Sequence, residues 1–212
     1  LALATSLSDQ GAHQAALHEY DALRRMVPGL VLPHIQIGYE YVSTGQIGEA
    51  VHVLLEALEM NPGSIVARLN VTSLLEDVGQ SDAADTMIDA GLAIVREQVD
   101  PHGEADLLVG RSELYARRSQ FADARGDLDE ALILYRTARD LESAARTILA
   151  QARISRQEGR LDDAMSLLRG GRKYAADYEM RELEAQFVME SALIRMDTGE
   201  MGAARPLVAE AL

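Results

Sequence analysis

The sequence has no cysteine and no tryptophan, and only 2 phenylalanines among its 212 residues. Without cysteine, a disulfide framework and any metal site with thiolate ligands are excluded. No apolar run reaches the roughly 18 residues that a transmembrane helix needs, so we expect no membrane span. Aromatic residues are only 4% of the chain, and β-branched residues are scattered. Both features argue against a β-sandwich or barrel and favour helices.

Positive charge is also scarce, because 20 basic residues face 34 acidic ones and the formal net charge is −14. Lys173 is the only lysine. Affinity for nucleic acid comes mostly from clustered cations, so we expect no nucleic acid partner. The charge is uneven: residues 1–103 carry 4 basic and 14 acidic groups, whereas residues 104–212 carry 16 and 20. Cations therefore concentrate in the second half.

The sequence does contain a repeated pattern, in which a glycine is followed five residues later by an alanine. The pairs are Gly11/Ala16, Gly45/Ala50, Gly79/Ala84, Gly126/Ala131, Gly159/Ala164 and Gly199/Ala204, with glycine spacings of 34, 34, 47, 33 and 40 residues. A glycine can end a helix in a left-handed conformation that costs other residues free energy. A small alanine then lets two antiparallel helices approach closely. The pattern predicts helix–turn–helix units and no strand.

The residues around these glycines resemble the tetratricopeptide repeat family. The second unit has the fullest match, with small, aromatic, bulky and proline positions filled by Gly38, Tyr41, Gly45, Ala50, Leu54, Ala57 and Pro62. The resemblance covers essentially the whole chain. It implies an all-α fold, a right-handed superhelical solenoid of about six antiparallel helix pairs.

The unequal glycine spacings predict a division of the chain. We expect three regular 34-residue units in residues 1–97, a break or hinge loop at 98–103, and three longer units in 104–212, the last incomplete. The 47-residue step carries about 13 residues beyond the repeat period, and the residue before Pro101 is disfavoured in a helix. Because the sequence begins at Leu1, inside a helix pair, we also expect a fragment of a longer protein that could self-associate through its repeat ends.

Catalytic patterns are missing from the sequence. The five histidines include no pair at the helical spacing of a metal site, and no glycine-rich loop is followed by the lysine and hydroxyl residue of a phosphate site. The paired acids Asp162 and Asp163 follow a turn glycine, where they favour the helix dipole. We therefore expect no enzyme, no catalytic residues, no cofactor and no metal.

By resemblance, the first helix of each unit lines a concave groove that binds a protein or peptide. The candidate groove residues are Tyr39, Leu69, Asn70 and Ser73 in the second and third units, and Arg117, Arg146, Arg153 and Arg156 in the fourth and fifth. Arginine makes forked hydrogen bonds to carboxylates, which favours a partner with an acidic segment. The alternative is a solvated face whose arginines pair with Glu113, Glu142 or Glu190.

Two functions follow from these observations. The first is a non-catalytic scaffold, or adaptor, that holds a protein or peptide in its groove. The cytoplasm is the expected compartment, and the periplasm stays open because the start of the chain looks truncated. The second is a regulatory or sensor arm of a larger multidomain signalling or transcription-regulating protein. The longer repeats of the second half are similar to those in sensor arms of bacterial regulators.

Overall fold

A computed structural model describes residues 1–211 and shows twelve α-helices and no strand in that range. The chain divides into two compact units, one spanning Leu1–Gln98 and the other beginning at Val99. Within each unit, every helix packs against the next one along the chain. The predicted all-α architecture of helix pairs is confirmed for the described residues.

The first unit contains six helices arranged as three consecutive pairs. These helices are α1 (Ala2–Asp9), α2 (His13–Met26), α3 (Val31–Ser43), α4 (Ile47–Met60), α5 (Ile65–Asp77) and α6 (Ser81–Glu97). Each pair closes at a glycine with positive φ, at Gly11, Gly45 and Gly79. After Gly45, the N–H of Gln46 donates to the Tyr41 carbonyl at 2.8 Å, the bond that satisfies the end of a helix in this type of turn. The three glycines lie at the turn positions that the sequence predicts.

Alanine at the fifth position after each turn glycine forms the centre of the first unit. Ala16, Ala50 and Ala84 are fully buried, because their small side chains lie where the helices come together. The two helices of the second pair approach especially closely: a Cβ atom on Gly38 would lie 2.8 Å from the Cγ atom of Leu54. Packing at this crossing therefore requires glycine in α3.

Arg68 ties the connection between α4 and α5 to α6. Its guanidinium is buried and donates to the carbonyl oxygens of Pro62 at 2.7 Å and Met87 at 2.9 Å. Burial lowers the pKa of Arg68 below its ordinary value. This arginine belongs to the interior and is not available as a surface cation.

The second unit also contains six helices. Its first five have 17 or 18 residues each, a length that only α6 reaches in the first unit. They are α7 (Pro101–Arg117), α8 (Phe121–Ala138), α9 (Leu141–Gln157), α10 (Leu161–Asp177), α11 (Arg181–Asp197) and α12 (Met201–Ala211). The connections are three residues long, except for the two residues between α8 and α9, and each contains one residue in the left-handed conformation. From the end of the first unit onward these residues recur every twentieth position, at Gly79, Val99, Ser119, Arg139, Gly159, Glu179 and Gly199.

The register predicted for the fourth helix pair is wrong by seven residues. Gly126 lies inside α8, and the turn between α7 and α8 is at Ser119, which has a φ of 60°. Gln120 N–H donates to the Tyr115 carbonyl at 2.8 Å, the same closing bond as after Gly45. Ala124, at the fifth position after Ser119, is fully buried, as the alanines of the first unit are. Ala131 is also buried, but it lies seven residues further along α8.

This correction removes the 13-residue insertion that the sequence predicted. The turn residues Gly79, Ser119, Gly159 and Gly199 are separated by three equal steps of 40 residues. The repeated glycine is missing from this turn because a serine fills the left-handed position at Ser119. The true signal was the alanine at the fifth position after it and the tyrosine at the fourth position before it.

Part of the predicted break at 98–103 is helical. Helix α7 begins at Pro101, and the Asp100 side chain caps it by accepting a hydrogen bond from the Gly103 N–H at 3.0 Å. Proline is well suited to the first helical position, where its missing N–H would have no partner in any case. Only residues 98–100 connect α6 to α7.

Two contacts fix the helices of the second unit against one another. Arg111 makes a bidentate ion pair with Asp127, in which both nitrogen–oxygen distances are 2.8 Å, and this pair joins α7 to α8. Gly171 in α10 faces the ring of Phe187 in α11 so closely that a Cβ atom would lie 2.2 Å from Cε1. The glycine in α10 thus belongs to a close helix crossing and does not end the helix.

The first prediction concerns Val99, a β-branched residue at a φ of 55°. Left-handed backbone is costly for such a side chain, and Val99 is 83% exposed, so its removal loses little packing. We expect Val99→Gly to raise the free energy of unfolding by about 1 kcal/mol, after allowance for the greater chain entropy of glycine. Urea denaturation measures the change. As a control, Gly45→Val places valine at another left-handed position and should lower the free energy of unfolding. If V99G leaves that free energy unchanged or lowers it, Val99 is not strained.

The second prediction tests the corrected register. Ala124 is fully buried, so Ala124→Leu should overpack the crossing and lower the free energy of unfolding by roughly 1–3 kcal/mol. Ala122→Leu, at an exposed position on the same helix, is the matched control and should have little effect. Equal urea midpoints for the two variants would contradict the register.

Candidate functional site

The predicted groove residues of the first unit lie on α3 and α5. The amide of Asn70 donates to the Tyr39 hydroxyl at 3.0 Å and to the Val66 carbonyl at 2.8 Å. Leu69 is half-buried and Ser73 is exposed. These two helices also expose apolar side chains, at Leu32, Val42 and Val66. The candidate residues of this unit therefore form an uncharged face.

Three of the four predicted arginines of the second unit project from α9, and each of these three contacts a carboxylate. Arg146 pairs with Glu142 one turn earlier, at 2.7 Å from Nη2 to Oε1. The other two reach α11: Arg153 Nε lies 2.5 Å from a Glu190 oxygen and Arg156 Nη1 lies 3.3 Å from an Asp197 oxygen. The arginine row is thus neutralised by neighbouring acids, two of which, Glu142 and Glu190, belong to the alternative that the sequence left open.

Arg117 does not occupy the groove position that the sequence assigned to it. It lies in the last turn of α7, because the turn comes at Ser119 and the groove positions of this helix move by seven residues. The residues of α7 that correspond to the groove positions of the other units are Asp106, Val109, Gly110, Glu113 and Ala116. Sequence reasoning named Glu113 but missed Asp106, and the displaced register is the cause.

A concave cavity of about 340 Å³ lies among α7, α9 and α11, with Tyr135 of α8 also in its lining. Helix α7 contributes the carboxylates of Asp106 and Glu113, and α9 contributes Arg146 and Arg153. The remaining lining residues are apolar or uncharged: Val109, Tyr135, Ser143, Thr147, Leu149, Ala150 and Gln186. The cavity therefore presents acids from one helix, bases from another, and apolar side chains beside them.

Asp106 is held in place by a network at the N-terminal end of α7. Its carboxylate accepts a hydrogen bond from the Tyr135 hydroxyl and lies 3.5 Å from Nδ1 of His102. The other ring nitrogen of His102 is 2.8 Å from Asp140, the N-cap residue of α9. His102 also packs edge-on against the Tyr135 ring. The network fixes an acidic group of the cavity relative to both α7 and α9.

The pKa values of this network favour its hydrogen bonds. The hydrogen bond to Asp140 is the main cause that raises the pKa of His102 above its ordinary value, with a further contribution from Asp106. Burial is the main cause that raises the pKa of Tyr135, so its hydroxyl stays protonated and donates to Asp106. At Glu113, desolvation by the surrounding protein raises the pKa of the carboxyl, and Arg117 acts in the opposite direction.

The cavity combines hydrogen-bonding and apolar side chains. Within residues 1–211 no group of three or more His, Asp or Glu side chains is placed to hold a metal ion. In the same range, no helix combines the length and apolar character that crossing a membrane requires. The cavity offers hydrogen-bond donors on α9 and acceptors on α7, next to the side chains of Val109 and Leu149.

The third prediction follows from the raised pKa of His102, whose charged form is faced by Asp106 and Asp140 and whose ring contacts Tyr135. A raised folded-state pKa stabilises the fold fully below the ordinary value of about 6.5, and this stabilisation is lost as pH rises through the folded-state pKa. His102→Gln should therefore lower the free energy of unfolding more at about pH 6 than at about pH 9. Urea denaturation at both values measures it, with His18→Gln, at an exposed position on α2, as control. An equal loss at both values would contradict the assignment.

Part of the sequence matches a known protein family. Residues 34–64 match the family model of the tetratricopeptide repeat, and this segment contains all seven residues of the second unit's predicted pattern. No curated protein matches the sequence.

Solved structures similar to this chain are helical-repeat proteins. BtubC (BKLC) from P. vanneervenii has a TM-score of 0.72 at 15% identity over 95% of this chain and 87% of its own. The apo form of RapI has a TM-score of 0.71 at 15% identity over 98% and 81%. A kinesin light chain from Podosopora anserina, described as having nearly identical TPR-like repeats, has a TM-score of 0.67 at 16% identity over 87% and 94%. The resemblance to tetratricopeptide repeat proteins is thus confirmed: residues 34–64 form a repeat of this family, and the chain has the family's all-α repeat fold.

Proposed function

We propose that the chain is a non-catalytic scaffold that binds a protein or peptide segment on the face formed by α7, α9 and α11. The cavity among these helices carries the proposal, because it is open and combines charged, polar and apolar lining. A peptide segment offers the same mixture of groups. Helical-repeat folds commonly use the face of their first helices for such binding.

The arginines of α9 keep donors for a partner although they are already paired. A guanidinium has five N–H donors, and Arg153 contacts Glu190 through its Nε. The side chains of Arg146 and Arg153 remain 52% and 49% exposed. A bound segment could therefore hydrogen-bond to both arginines while Glu142 and Glu190 hold them in place.

The uncharged face of the first unit is a second candidate surface for the same function. Tyr39 and Asn70 are joined by a hydrogen bond, so they form a fixed pair that a partner could contact, beside Leu69 and Ser73. A free-standing adaptor and a regulatory arm of a larger protein would use these faces in the same way. The sequence that flanks this chain distinguishes the two: a DNA-binding, kinase or ATPase domain would identify the arm.

The fourth prediction tests the arginine face. Arg146→Glu together with Arg153→Glu should lower partner capture by roughly tenfold or more, because reversed charges repel acceptors and lose the forked hydrogen bonds. The measurement is an affinity pull-down with the whole chain as bait and quantitative mass spectrometry of what is retained. Circular dichroism should show unchanged helix content, since both side chains project into the cavity.

The matched control is Arg169→Glu, a charge reversal at an exposed position on α10, outside this cavity. It should retain the same partners as the unmodified chain. Capture of the same partners in the same amounts by the α9 double variant would contradict the proposed site. Loss of capture on Tyr39→Ala would then assign binding to the uncharged face of the first unit.

A further inference from the structure

The charges of the cavity are arranged in two matched rows. Asp106 and Glu113 lie seven residues apart on α7, and Arg146 and Arg153 lie seven residues apart on α9. Seven residues are two helical turns, so the members of each row project from the same side of their helix and are about 10 Å apart along it. The cavity therefore carries two carboxylates and two guanidiniums at equal spacing on different helices.

A partner with acidic groups alone does not fit this arrangement. Arg146 and Arg153 are each paired with a carboxylate, Glu142 and Glu190. An acidic side chain that approached them would also face the acidic row of α7. In a chain whose net charge is −14, no long-range attraction offsets that repulsion.

A partner with basic groups alone does not fit either, because it would meet the two guanidiniums of α9. The carboxylates of α7, in contrast, can accept further hydrogen bonds. An ionised carboxylate has about four acceptor sites, and Asp106 uses only part of this capacity for Tyr135 and His102. Donors from a partner could thus reach α7 while acceptors reach α9.

We propose that the partner segment is a helix that carries charges of both signs, with acidic side chains toward Arg146 and Arg153 and basic side chains toward Asp106 and Glu113. This inference rests on the proposed function and names its partner. A helix fits the spacing because residues seven apart lie on one side of it, about 10 Å apart. An extended strand repeats each side at roughly 7 Å and does not match the rows.

Three fluorescein-labelled, alanine-rich helical peptides test the proposal. The mixed peptide has two glutamates seven residues apart on one side and two lysines seven residues apart on the adjacent side. The acid-only peptide has glutamine in place of both lysines, and the base-only peptide has glutamine in place of both glutamates. Fluorescence anisotropy with the whole chain at low salt measures the affinity of each.

We expect the mixed peptide to bind at least threefold more tightly than either of the others, since each exposed charge pair adds a modest factor. Glu113→Gln should weaken the mixed peptide by roughly two- to fivefold. The same variant should not weaken the acid-only peptide and should strengthen its binding, because it removes a carboxylate that repels this peptide. The control Glu130→Gln removes an exposed carboxylate from α8, outside the cavity, and should leave the affinity for the mixed peptide unchanged.

The two proposals fail in different ways. If Arg146→Gln with Arg153→Gln leaves the affinity for the mixed peptide unchanged, the proposed site on α9 is wrong. If the arginine variant weakens binding but Glu113→Gln does not, and the acid-only peptide binds as tightly as the mixed one, the site stands and the mixed-charge partner is overturned. Failure of the mixed peptide to exceed both others, including the absence of measurable binding, also overturns it.

Discussion

The fold depends on a residue in the left-handed conformation that closes each helix pair. With a connection of three residues, this conformation returns the chain against the helix that it has just left, and the next helix must pack antiparallel to it. The fully buried alanines Ala50 and Ala124, each at the fifth position after a turn, allow that packing. Glycine fills the turn position at Gly45, but serine fills it at Ser119. The constraint is thus on the backbone conformation, and glycine is only its least costly solution.

The change from 34-residue to 40-residue repeats creates the candidate site. Helix α9 has 17 residues, whereas α3 and α5 have 13 each. The extra residues of α9 form one more helical turn at its N-terminal end, and this helical turn contains Glu142, which pairs with Arg146. The first unit has no such turn, and the corresponding face of α3 and α5 is uncharged at the candidate positions. The two units are therefore built from the same kind of helix pair, but their candidate surfaces differ: that of the second unit is charged and that of the first is not.

Under the proposed function, electrostatic pairing determines which partners the second unit can bind. The arginines of α9 contact Glu142, Glu190 and Asp197, and the Asp106 carboxylate is held by Tyr135 and His102. Paired charges attract little at long range, particularly in a strongly acidic chain, so selectivity must come from hydrogen bonds formed at close contact. Under the proposed function, such a surface would discriminate partners by the placement of their charges more than by their net charge.

The sequence by itself determined the class of fold, the helix pairs and the turns at Gly11, Gly45 and Gly79, because local conformation and helical periodicity are written in neighbouring residues. It also pointed to the arginines of α9. The tertiary structure was needed to place the register of α7 and α8, because serine fills the left-handed position at Ser119. Without a glycine there, Tyr115 and Ala124 are the only marks of the turn in the sequence. It alone decided that Arg153 and Arg156 reach acids on α11, 37 and 41 residues away. Ion pairs between helices depend on how those helices pack, which no local pattern encodes.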